Sequence, residues 1–165
     1  MHRYYFAKFK HKDAYLINIR DKDEISRLLD IAPNMFESLE KEELEAYTVF
    51  KDKNPLLIVY WKTNVYGARE LCMIAGESLK DDFNHKVLYI INTILDMVKT
   101  GCYRVHSLVA ENETNKRFLE YLGFDQESKM EFAGFDGDHM YMYSWVQRHI
   151  RYMGVYQMQS RRQCK

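Results

Sequence analysis

Two side chains in strand-like runs are of types that can take a proton. One is the Glu70 carboxylate, at the head of the run ELCMIA, and the other is the His106 imidazole, inside CYRVHSLV. Both runs read as strands, and general-base chemistry needs such a group within hydrogen-bond reach of the proton it accepts. Each also has a plainer reading, Glu70 as a strand-edge surface residue and His106 as an outward polar residue of an alternating strand. A third feature is the stretch Gly76 to Lys86, which leads into a long amphipathic helix. The first turn of a helix leaves amide protons unpaired, and its dipole favours an anion there. Against that, Glu77, Asp81 and Asp82 place three carboxylates in the stretch, opposed by Lys80, His85 and Lys86. No Ser-His-Asp, Cys-His, metal-ligand or P-loop pattern competes with these groups. The three cysteines, Cys72, Cys102 and Cys164, are odd in number and widely spaced, which argues against a disulfide framework and a zinc site.

The elements that must position these groups follow from periodicity. Val87, Ile91, Ile94, Leu95 and Val98 form a helical stripe between Asn84 and Lys99, with Gly101 as the stop. After the His106 strand, Asn112 is a good N-cap, and Phe118, Leu119 and Leu122 share a helix face. Gly123 then ends that helix before Phe124 opens a strand. The run MEFAGFDGDHMYMYSW reads as a hairpin turning at Asp136-Gly137-Asp138.

The order strand, helix, strand, helix, hairpin from about Glu70 to Trp145, with the stretch ENETNKRFLEYLGF at its centre, resembles the C-terminal half of the GNAT N-acetyltransferase superfamily. The N-terminal run DEISRLLDIAPNMFESLEKEELEAY is most similar to small GNAT-like proteins of short-tailed phages. The resemblance implies an α/β fold with a mixed, mostly antiparallel central sheet flanked by helices. It also implies acetyl transfer from acetyl-CoA to a primary amine by direct attack, the amine carried by a small molecule or a protein. On that pattern Glu70 and His106 are the base candidates. Ile74, Ala75, Gly76, Asn84, His85, Lys86 and Asn112 border the donor, with Glu70 to Ala75 beside its thioester. The family's glycine-rich loop lets successive amides approach the pyrophosphate. Here no glycine follows Gly76 in the loop, and Leu119 stands where a tyrosine commonly protonates the departing thiolate. Tyr121 lies about 200° further round the helix and faces elsewhere. These departures keep a second reading open, a catalytically eroded GNAT-fold phage protein that is part of a virion or binds a host protein.

Ahead of that half, both Tyr4 to Phe9 and Ala14 to Ile19 read as strand material, and Ala14 to Arg20 is preferred as the first strand. A helix follows from the Asp21 to Glu24 cap cluster to Pro33, and a second from about Asn34 to Ala46. Tyr47 to Phe50 and Leu56 to Trp61 are the next strands. The second of these has no polar alternation and is expected to be buried on both faces. Residues 1 to 145 are read as one GNAT-like domain with a basic arm at 1 to 12, and 146 to 165 as a basic tail. The arm carries four Lys or Arg and the last twenty residues five, with no acid in either, so the interior is acidic. Basic ends admit nucleic acid as a partner only if they form one coherent face, and solvated ends are the plainer reading. No apolar run approaches a bilayer span and the N-terminus lacks a signal-like apolar core, which predicts a cytoplasmic protein without a membrane partner.

Overall fold

The run Leu56 to Trp61 forms the middle of β3 (Asn54–Thr63), where Leu56, Leu57 and Ile58 are wholly buried and Val59 and Trp61 nearly so. A strand with consecutive apolar residues must be covered on both faces, and burying each such side chain contributes roughly 1.5–3 kcal/mol. The structure is a computed structural model that describes residues 2–19, 36–37, 45–134 and 137–147. Among the described residues it is mixed α/β, with seven strands in a mostly antiparallel sheet flanked by helices. The chain divides into two units, Met1–Lys62 with Glu70–Val98, and Thr63–Arg69 with Lys99–Lys165.

In the first unit the strand order is β1 (Tyr4–Lys8), β2 (Glu45–Lys51), β3 and β4 (Arg69–Ala75). β1 is antiparallel to β2, with Tyr5 stacked on Phe50 and Phe6 edge-on to Tyr47. Residues 4–8 of the expected basic arm are therefore a paired strand, and Lys8 bonds Glu45 at 2.6 Å. The preference for Ala14 to Arg20 as first strand is overturned, because Ala14 lies in the helix α1 (His11–Leu16). Asp13 explains this: its buried carboxylate accepts from the Lys10 amide at 3.0 Å and from Thr48 Oγ1 at 2.9 Å, which fixes a helical first turn over β2. Ala14 and Ile17 then join Phe9, Phe36, Ala46, Ile58 and Ile74 in one core cluster. Ala46 and Tyr47 belong to β2 and not to the preceding helix. Phe36 and Glu37 are helical, while the rest of the expected helices over 21–33 and 34–46 lies outside the described residues up to Glu45.

After β4 comes a one-turn helix, α2 (Leu79–Asp82), then α3 (His85–Lys99). Its buried side chains are Val87, Ile90, Ile91, Ile94, Leu95 and Val98, the predicted stripe with Ile90 added.

In the second unit β5 (Arg104–Ala110), β7 (Met140–Val146) and β6 (Asp125–Met130) are neighbours in that order, both pairs antiparallel. The helix α4 (Glu113–Tyr121) is capped at Asn112 and closed by Gly123 at φ 83°. There the Gly123 amide donates to the Glu120 carbonyl and the Phe124 amide to the Leu119 carbonyl, a Schellman closure that delivers Phe124 into the core. Leu119 and Leu122 are buried and Phe118 is half-buried. The hairpin's first arm is Asp125–Met130, earlier than the run from Met130 suggested. Phe132 sits at φ 55°, outside the strand region, so the chain leaves the sheet at Met130 and returns at Met140. Of the expected turn, Asp136 lies outside the described residues, as does the tail from residue 148.

Candidate functional site

In the first unit β4 carries Glu70 and passes directly into the stretch Gly76 to Asn84 and then into α3. Glu70 is exposed, and no hydrogen bond or ion pair engages it among the described residues. Such a carboxylate is open to a proton donor. Ile74 is a core residue, 6% exposed, so only its backbone could face a ligand. Gly76 is packed from within: a Cβ there would stand 3.2 Å from Ile17 Cγ1 and 3.2 Å from the Leu56 carbonyl oxygen. Its glycine therefore serves the chain's own close packing.

The backbone amides of this stretch decide what an anion could find. The Gly76 amide donates to the Leu56 carbonyl at 2.9 Å and the Glu77 amide to the Asn18 carbonyl at 2.7 Å. Leu79 and Asp82 donate back into their own turn, to Gly76 and Ser78. At the start of α3 the Asn84 Oδ1 accepts from the Lys86 amide at 2.9 Å and from the Val87 amide at 3.3 Å, while its Nδ2 donates to the Asp82 carbonyl at 2.8 Å. His85 and Lys86 present exposed side chains beside this cap.

The local charge is also rearranged. Lys51, at the end of β2, reaches Asp82 with an Nζ to Oδ1 distance of 2.5 Å, both side chains largely buried at 23% and 18% exposure. That bond, ahead of the opposing cost of desolvation, raises the Lys51 ammonium above its ordinary range. Glu77 accepts a bond from the Asn18 side chain, and Asp81 is exposed. Of the three carboxylates that oppose a phosphate, one is thus neutralised by a cation that the sequence reading did not associate with the loop.

In the second unit the imidazole of His106 is partly exposed, but its Nδ1 is buried with no hydrogen-bond partner. A neutral imidazole that accepts a proton at Nε2 must carry its hydrogen on Nδ1, and a buried unpartnered N–H costs on the order of 1–3 kcal/mol. The ring is poorly prepared as a base. Asn112 Oδ1 accepts from the Thr114 and Asn115 amides at 3.0 and 3.3 Å, so helix capping accounts for it. Leu119 is 2% exposed and Tyr121 is 62% exposed. Tyr143, wholly buried, donates to Glu120 Oε1 at 3.1 Å; burial first, and that carboxylate second, push its phenol up. Among the described residues no cluster of His, Cys, Asp or Glu could hold a metal ion, and no helix is long and apolar enough to cross a membrane.

No family model and no curated protein matches the sequence. The fold does match solved structures. A point variant of the spermidine N-acetyltransferase SpeG from Vibrio cholerae superposes with a TM-score of 0.65 at 16% identity, covering 87% of this chain and 94% of that one. An N-acetyltransferase from Staphylococcus aureus Mu50 gives 0.68 at 12%, over 87% and 98% of the two chains. A GNAT-family acetyltransferase from Bacillus cereus ATCC 10987 gives 0.64 at 16%, over 88% and 98%. The chain has the fold of the GNAT acetyltransferases.

Proposed function

We propose that the protein is an N-acyltransferase of the GNAT type, moving acetyl from acetyl-CoA to a primary amine in the cytoplasm. The amine belongs to a small molecule or to a protein. The observation that carries the reading is the sequence of parts in the first unit: an exposed, unengaged carboxylate on β4, then a short loop, then the N-terminus of a 15-residue helix. In chemical terms Glu70 takes a proton from the acceptor ammonium, directly or through water. The freed amine attacks the thioester carbonyl, the amide forms, and the thiolate leaves to be protonated by solvent, since Leu119 has no proton to give. His85 and Lys86, with the dipole at the head of α3, supply the positive field for the donor's phosphates. Asn112 is left to its helix.

The reading is tested by thermal stabilisation. Acetyl-CoA at a hundred times its dissociation constant should add about 2.7 kcal/mol to native-state stability. Glu70→Gln should retain that stabilisation while losing turnover by about 10²–10⁴-fold. Absence of stabilisation at millimolar donor would refute the reading. It would favour the second one, a GNAT-fold phage protein whose role is in the virion or on a host protein. That alternative is supported by Leu119 in the acid's position and by the loop amides already bonded within the chain.

A further inference from the structure

We propose that the outer edge of β1 is a self-association surface, and that two copies of this chain pair β1 to β1, antiparallel, about a two-fold axis at Phe6. The inference concerns assembly and stands apart from the transfer chemistry proposed above.

The strand's own bonds show what its outer edge offers. The Phe9 amide donates to the Ala46 carbonyl at 3.0 Å and the Asp52 amide to the Arg3 carbonyl at 2.7 Å, on the register that sets Tyr5 against Phe50 and Ala7 against Thr48. In an antiparallel pair every second residue bonds inward. Arg3, Tyr5, Ala7 and Phe9 therefore face β2, while Tyr4, Phe6 and Lys8 turn their N–H and C=O groups outward. β1 ends the strand order, so among the described residues no strand takes those groups up. Such an edge is a template for another strand unless charge, proline or a bulge defends it. β6, the edge strand at the other end of the order, is defended in this way: it carries Asp125, Glu127 and Lys129, and its register shifts between Gln126 and Ser128. β1 is YYFAK and pairs without a shift. Its one charge, Lys8, is drawn sideways onto its own sheet, 2.6 Å from Glu45 and 4.8 Å from the centre of the Tyr47 ring.

The occupant follows from the register. A second copy laid with its Phe6 against Phe6 brings Tyr4 against Lys8 of the second copy, and the reverse, so every outward residue of both strands falls in a bonded pair. Each such pair exchanges two bonds, six in all, and a slide of two residues either way leaves only two of the three pairs within β1. The side chains agree with the same register. Exposed Ala7 leaves room for Tyr5 of the second copy, and the Lys8 ammonium comes beside the ring of Tyr4 of the second copy, a favourable cation and aromatic pair. Beyond the strand ends, exposed Lys10 comes toward His2 of the second copy, whose Nδ1 is 2.8 Å from the exposed Asp52 carboxylate, so a cation meets an acid at both ends. An unrelated strand would meet the backbone groups without this match of small to large and cation to anion.

Sedimentation velocity of the full chain, wild type and variant, tests this. The wild type should approach twice the 19.9 kDa of one chain as concentration rises to about 100 μM, a range suited to a small interface. Phe6→Pro removes an outward N–H only, which an edge strand tolerates, and should weaken the dimer by at least about tenfold with the circular dichroism of the wild type retained. Phe6→Cys carries the test with the backbone intact if Phe6→Pro does not fold. In a Cys164→Ser background, oxidation with diamide should link Phe6→Cys copies into a covalent dimer, because directly opposed residues of a bonded pair have Cα atoms about 5.5 Å apart. Tyr4→Cys should link at least about tenfold more slowly, since its two copies lie four residues apart in this register, about 13 Å. A folded Phe6→Pro that dimerises as wild type does, or equal linking at positions 4 and 6, overturns the proposal. So does a wild type that stays monomeric, even if the edge is then found to take the strand of another protein.

Discussion

Replacing Asn112 separates a helix cap from a ligand contact. Its Oδ1 accepts from the Thr114 and Asn115 amides, so Asn112→Ala leaves two first-turn donors of α4 without their acceptor. Loss of such a cap costs about 1 kcal/mol, while glycine at the same place costs only a few tenths. For a chain of this size about 1 kcal/mol lowers Tm by about 2–4 °C. Urea denaturation should show a lower midpoint for Asn112→Ala with an unchanged m value, and near-wild-type behaviour for Asn112→Gly. In both, KM for acetyl-CoA should stay at the wild-type value. A KM raised several-fold in the glycine variant, at unchanged stability, would refute the reasoning and return Asn112 to the donor site.

Leu119→Ala should destabilise by about 2–5 kcal/mol in the same assay, as expected for a residue 2% exposed, and Tyr121→Phe, at 62% exposure, should leave both stability and turnover unchanged. Gly76→Ala should cost about 1–3 kcal/mol by forcing apart Ile17 and the Leu56 carbonyl, read as a lower urea midpoint. The Tyr143 phenol is held above its ordinary range by burial and by Glu120. Its contribution is therefore present at pH below about 10 and is lost as pH rises through the folded-state value. Stability measured from pH 9 to 12 should fall less steeply in Tyr143→Phe than in wild type. His106→Gln should keep the wild-type pH profile of turnover, whereas loss of one limb of that profile would reinstate the imidazole as the base.

The second half of the chain was legible because its signals are local. Asn112, Gly123 and the apolar spacing between them define α4 within a dozen residues, and the stripe from Val87 to Val98 does the same for α3. The uninterrupted apolar run at Leu56 likewise announces a strand covered on both faces. The N-terminus differs because Ala14 to Ile19, a short mostly apolar run, reads as strand material. What decides its helix is Asp13 bonding Thr48, a contact across 35 positions that no window on the sequence contains. The donor loop shows the same division. Its missing glycines and its acids were visible, and so were His85 and Lys86. The Lys51 to Asp82 pair spans 31 positions, and the occupancy of the Lys86 and Val87 amides by Asn84 depends on a side-chain rotamer. Asn84 ahead of the apolar stripe was the signal that could have found the cap.

The central claim is a transfer of acetyl to an amine, and its most direct test is product formation. Purified protein, acetyl-CoA and a panel of primary amines, with N-acetylated product followed by mass spectrometry and free thiol by absorbance, supply the measurement. The account predicts amine-dependent thiol release matched one for one by amide product, and loss of both in Glu70→Gln. Folded protein that yields no amide with any amine at millimolar acetyl-CoA, or a Glu70→Gln variant as active as wild type, would contradict it.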